Sequence, residues 1–215
     1  MQRIVSLVVA SLSFVFTAAA ADLDYSRFET YFGYDFVQFM PDTTFLPSKI
    51  NANGGSAQFI YNAWKGLGVV ADFGAVHKGT LNQTPIDATV ANFLVGPRFT
   101  HHIGRYQPFV EAMFGGAYGT MSTQVSAITG DNVFLPAFTP VTARLTASTT
   151  RFALMAGGGL DIKFSKRFAF RPFEADYYLI RMPNVYTENG LAGTGLTNHN
   201  NWRLSGGVKF MFGKL

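Results

Sequence analysis

Hydrophobic and polar positions alternate with a period of two along most of the chain. That period belongs to strands whose two faces meet different surroundings. The final segment shows it plainly. Trp202, Leu204, Gly206, Val208, Phe210 and Phe212 fall on one face, and Arg203, Ser205, Gly207, Lys209 and Met211 fall on the other. Near the start, Phe28, Thr30, Phe32, Tyr34 and Phe36 oppose Arg27, Glu29, Tyr31, Gly33 and Asp35. Comparable runs surround Phe59, Phe73, Phe93, Phe114 and Leu154. One segment, Phe168 to Ile180, breaks parity, because Arg171 and Glu174 cannot share a face in strict alternation. A bulge near Pro172 repairs it, since proline inside strands sits mainly at bulges or edges. Arg171, Glu174, Asp176 and Tyr178 then share one face, with Phe173, Ala175, Tyr177 and Leu179 on the other.

These runs predict about eight strands of roughly 9–14 residues, long enough to cross a bilayer when tilted. The connections alternate in length. Lys65-Gly66, His101 to Tyr106 and Ser165 to Arg167 are short; Met40 to Asn53, His77 to Asp87, Thr120 to Ser148 and Met182 to Asn200 are long. Membrane barrels have short periplasmic turns and longer outer loops. An even strand count also puts both ends of the mature chain on the periplasmic side. The expected fold is all-β: a closed antiparallel up-and-down transmembrane β-barrel, preceded by a cleaved signal peptide.

Composition supports that picture. Hydrophobic residues make up 48% of the 215 residues and charged ones only 14%, against about 25% charged in ordinary soluble domains. No internal stretch reads as a helical membrane span. Arg3, the apolar run from Ile4 to Phe16 and the alanines at 18–21 make a secretory leader. The expected division is therefore residues 1–21 as signal peptide and 22–215 as barrel domain. There are no cysteines, which excludes a lipid-modified N-terminus and a disulfide framework. The net charge of +4, with no basic run, gives no reason to expect nucleic acid. Trp64, Trp202, Tyr34, Tyr61 and Tyr118 are candidates for interfacial girdles.

Several segments are similar to the OmpA-like outer-membrane β-barrel family: Asn92 to Phe99, Pro108 through Ala117, Gly157 to Asp161, and Arg171 to Tyr177. The run Gly207-Val208-Lys209-Phe210-Met211-Phe212 resembles the terminal signal read by the barrel-assembly machinery, through Gly207, Phe210 and Phe212, with Gly213-Lys214-Leu215 trailing it. The resemblance implies a barrel in the cell outer membrane that contacts its lipids and the assembly machinery. It implies no activity, because this architecture hosts structural proteins, adhesins and enzymes alike.

Candidate chemistry lies on the charged face: Glu29, Asp35, Asp72, Glu111, Asp161, Glu174 and Asp176 against Arg98, Lys163, Arg171, Arg203 and Lys209. Turned inward, these groups must pair, since an unpaired buried charge is costly. Side chains filling an eight-stranded barrel leave too little room for an aqueous channel, so little or no conductance is expected. No metal, cofactor or catalytic residue is expected. Adjacent His101 and His102 point to opposite sides of an extended chain and share a metal awkwardly. A lipid-modifying enzyme of the lipid A deacylase kind would need a histidine, a serine and a carboxylate together. His77 with Ser122 or Ser126 is the loose candidate. Gly157-Gly158-Gly159 lacks the context of a phosphate loop. Lys49, Lys78, Arg144 and Arg181 are placed to meet lipopolysaccharide phosphates. Val133 to Phe138 is apolar for a loop and reads either as a contact patch or as part of extended strands packed on one another. The main reading is a non-enzymatic barrel with a structural or surface role; the enzyme and a soluble ligand-binding barrel are its rivals. No extracellular partner is identified.

Overall fold

The computed structural model describes residues 25–41, 49–81, 84–128, 140–188 and 191–214. The expected leader and its cleavage site, and the segment Val133 to Phe138, lie outside them. Eight strands follow in order: β1 (Phe28–Phe39), β2 (Ile50–Trp64), β3 (Leu67–Leu81), β4 (Thr84–Thr100), β5 (Tyr106–Ile128), β6 (Pro140–Lys163), β7 (Phe168–Glu188) and β8 (Leu191–Phe212). Each pairs antiparallel with its neighbours, and β1 pairs with β8, so the sheet closes as an up-and-down barrel. Closure leaves no exposed edge over the shared span. Phe28 lies opposite Phe212, so β1 starts and β8 finishes at the same end.

The closing seam needs Gly207. A Cβ there would lie 2.1 Å from the carbonyl oxygen of Phe32 on β1, far inside van der Waals contact. Gly157, Gly158 and Gly159 serve the same purpose: a Cβ on each would meet a neighbouring strand's carbonyl oxygen at 2.2, 2.4 and 2.6 Å. This triplet is a place where strands approach closely.

The bulge on β7 falls where parity required it. The β7–β8 register shifts between Arg171 and Glu174. Arg171, Glu174, Asp176 and Tyr178 are buried, and Phe173 is exposed.

The expected long connections need correction. The connection between β3 and β4 is only residues 82–83, and that between β7 and β8 only 189–190. β5 and β6 stay paired out to Ile128 opposite Pro140, so most of the expected Thr120 to Ser148 loop is strand. These outer stretches are rich in Thr, Ser and Ala with polar residues on both faces. Where polar residues alternate with polar residues the period-two signal fades, although the backbone pairing continues. The lower turns are as short as expected, with Lys65-Gly66 a two-residue turn and Gly66 at φ 79°. Above Ala153 and Ile180 the pairing of β6 with β7 stops, while the β5–β6 and β7–β8 pairs continue as separate ribbons.

Candidate functional site in the barrel interior

The inward residues come from period-two positions on all eight strands. Seven carboxylates (Glu29, Asp35, Asp72, Glu111, Asp161, Glu174, Asp176) and four cations (Arg98, Arg171, Arg203, Lys209) are each at most 5% exposed. Arg98 donates to Glu111 at 3.0 Å and to Asp161 at 2.9 Å. Arg171 donates to Asp161 at 2.7 Å and to Glu174 at 2.6 Å. Arg203 joins Asp72, Glu174 and Asp176 at 3.0, 3.1 and 2.8 Å. Lys209 closes the network on Glu29 and Asp161 at 2.7 and 2.8 Å. Asp35 accepts from Ser56. Lys163, also expected in the lining, is half-buried beside the short-turn end, in register with Ala169.

Residues outside the expected charged set complete the site. Gln58 is its hub: its amide nitrogen donates to Asp72, Glu111 and Glu174, and its carbonyl accepts from Arg98 and Arg171. Phe109 and Tyr31 lie beneath the guanidinium groups. Arg98 stands 3.6 Å from the Phe109 ring centroid and Arg171 stands 3.9 Å from that of Tyr31. Planar guanidinium groups suit this dual use of fork and face. Parity already placed Gln58 and Tyr31 on the inward face; their uncharged side chains gave no signal of a central role.

The interior also holds an apolar cluster that includes Val37, Ala52, Leu94, Met113, Ala153, Met155 and Ile180. Along β1, β5, β6 and β7 the ionic groups lie nearer the short-turn end and the members of this cluster farther from it. A purely polar plug is thus replaced by an ionic section with an apolar section beyond it.

The remaining candidates do not assemble. The Nδ1 of His77 bonds Thr89 Oγ1 at 3.0 Å, and Ser122 accepts from Arg144 at 2.8 Å. No serine is paired with that histidine among the described residues, and the side chain of Ser126 lies outside them. His101 is exposed while His102 is buried against the ring of Tyr25 at 4.1 Å. Burial, helped by the Lys209 ammonium, pushes the His102 imidazole down to about 4. Phe210 packs on the outer face against Phe168, with ring centroids 5.0 Å apart, and Phe212 is exposed beside Phe28. Lys49 and Arg181 are exposed, Lys78 is half-buried, and exposed Arg144 reaches Asp87 at 3.4 Å.

No protein-family model matches the chain, and no curated protein does. Solved structures do. Neisserial surface protein A superposes with a TM-score of 0.53 at 11% identity, covering 87% of this chain and 98% of that one. Ail, the attachment invasion locus protein of Yersinia pestis, gives 0.49 at 16% identity over 86% and 99%. The outer-membrane protein OprG of Pseudomonas aeruginosa gives 0.47 at 13% over 89% and 99%. The closed eight-stranded barrel and its superposition on Neisserial surface protein A give the chain the fold of the eight-stranded outer-membrane barrels.

Proposed function

We propose that this chain is an integral outer-membrane barrel with a structural or surface-interaction role, plugged inside and without enzymatic activity. One observation carries the reading. The outward face is apolar and uncharged over a membrane-sized band, while the charges of the same strands point inward. From Phe28 to Gln38 on β1, and from Phe212 to Trp202 beside it, ten residue steps tilted by about 40° span about 25 Å, the height of an outer-membrane apolar band. Phe32, Phe59, Phe73, Phe114 and Phe173 are about half exposed within the belt. Tyr34, Tyr61, Tyr118, Trp64 and Trp202 are exposed as well. In water such a patch would drive association; in lipid it is the expected surface.

The soluble ligand-binding alternative requires the reverse arrangement, an apolar inside and a polar outside. The lipid-modifying alternative requires a nucleophile and base in contact. On this reading the short-turn end, with the start of β1 and the finish of β8, faces the periplasm. Gly207, Phe210 and Phe212 offer the assembly machinery its signal. Lys49, Lys78, Arg144 and Arg181 face the lipopolysaccharide leaflet.

Fractionation with a heat-modifiability gel tests the reading. The chain should sit in the outer-membrane fraction, with a mobility that shifts on boiling and no steady current in planar bilayers. A soluble periplasmic product would overturn the membrane placement, and large open-channel currents would overturn the plug.

A further inference from the structure

The modest net charge conceals a segregation. Among the described residues every Asp and Glu whose side chain can be placed is buried in the barrel, except Asp87. Asp87 lies toward the long-strand end, where Arg144 pairs with it. The short-turn end has the opposite character. Arg27, Lys65, Arg105, Lys166, Arg167 and Lys214 are all exposed there. None of the six makes a side-chain ion pair with a described residue. They come from the lead into β1, the three short turns and the residues after β8, so they are distributed around the rim.

Five of the six also adjoin the apolar belt. Arg27 precedes Phe28, Lys65 follows Trp64, Arg105 precedes Tyr106, Arg167 precedes Phe168, and Lys214 follows Phe212 by two. Interfacial aromatics mark the headgroup level, and long basic side chains beside them extend their charge into it. A rim of unpaired cations at headgroup depth, with no exposed carboxylate among its described neighbours, is complementary to phosphate.

We propose that this rim is a docking ring for anionic glycerophospholipid headgroups of the leaflet bordering the short turns. The inference rests on the membrane reading above and goes further, since a zwitterionic bilayer would satisfy the belt equally well. Each cation near an anionic surface adds about 1 kcal/mol of attraction, roughly fivefold in local concentration. Screening to a Debye length of about 3 Å at 1 M salt removes most of it.

The chain's own tryptophans provide the test, because there are only two and they lie toward opposite ends of the belt. Trp64, 70% exposed, adjoins Lys65 at the rim; Trp202, opposite Gln38, lies toward the long-strand end. Single-tryptophan proteins W202F and W64F, folded by heat-modifiability, are placed in phosphatidylcholine vesicles. These contain the same minor fraction of acyl-brominated phosphatidylglycerol or acyl-brominated phosphatidylcholine. Trp64 should sense the brominated phosphatidylglycerol as enriched by about threefold or more at low salt. The preference should vanish in 1 M salt and in the R27Q/K65Q/R105Q/K166Q/R167Q/K214Q variant, and Trp202 should show a smaller one. The salt series needs no variant, so poor folding of the sixfold change cannot shield the proposal. Equal quenching of Trp64 by the two lipids overturns it, as does a preference that survives both salt and substitution. Binding of soluble acidic cell-wall fragments in place of any lipid preference also overturns it. If neither lipid quenches either tryptophan, the membrane reading fails and this inference with it.

Discussion

Inside and outside, the same strands have opposite chemistry. On β7, Arg171, Glu174 and Asp176 point into the barrel while Phe170, Phe173 and Ala175 point away. On β5, Glu111 alternates with Val110 and Ala112 in the same way. A soluble barrel would distribute these residues the other way round. The hydrophobic effect acts on whichever face can leave water, and here that is the outer one. The inner face cannot rely on lipid or water and must satisfy its charges internally, through Arg98, Arg171, Arg203, Lys209 and Gln58. The difference teaches that the interior is specific and intolerant, whereas the exterior is generic and constrained mainly by depth.

Substitutions at four positions probe that contrast. The largest effect is expected inside. Arg171→Met leaves Asp161 and Glu174 short of a partner and should cost about 3–5 kcal/mol, read as a lower urea midpoint for unfolding from vesicles. Arg171→Lys should recover only part, because an ammonium cannot fork to both carboxylates while stacking on Tyr31 and Phe109. A neutral Arg171→Met would show that the ionic section is not needed for stability.

Outside, Phe114→Arg should cost about 2–4 kcal/mol if the residue lies near the bilayer midplane. Moved to the rim, as Tyr106→Arg, the same change should cost about 1 kcal/mol or less. That depth dependence separates lipid from water. A soluble barrel would tolerate both arginines equally, since both positions are exposed.

A pH-dependent effect lies at the boundary between the two environments. His102 is buried at the turn end near Lys209, Lys163, His101 and Glu29, with Tyr25 against its ring. Its folded pKa of about 4 lies below the unfolded value of about 6.5. The folded state therefore binds fewer protons in that window, and the stability contributed by the neutral ring is full above about pH 6.5 and lost as pH falls toward 4. His102→Gln should flatten that segment of the stability–pH curve by about 1 kcal/mol or more. An unchanged curve would mean that the turn opens to water before the barrel unfolds.

Much of the fold was readable because a strand's period is two and each face has one chemistry. The β7 bulge was legible for the same reason: Arg171 and Glu174 could not otherwise share the polar face. The outer reaches were less legible. Around Thr142 to Thr150 polar residues occupy both faces, so alternation carries no information and the paired ribbon looked like a loop. The charged members of the interior site were visible individually. The hub was not, because Gln58 becomes central only when five charged neighbours from four other strands surround it.

The order of the faces, the strand number and the depletion of exposed charge were therefore set by the chain's local pattern. Alternation is a property of neighbouring residues and survives without knowledge of the rest. Which cation meets which carboxylate was decided only by closure of β1 on β8. Arg203 and Asp72 lie far apart in sequence yet 3.0 Å apart in the barrel. The same closure collected Arg27, Lys65, Arg105 and Lys214 onto one rim. Their scattered positions suggest nothing together until strand tilt and register bring them around a common end.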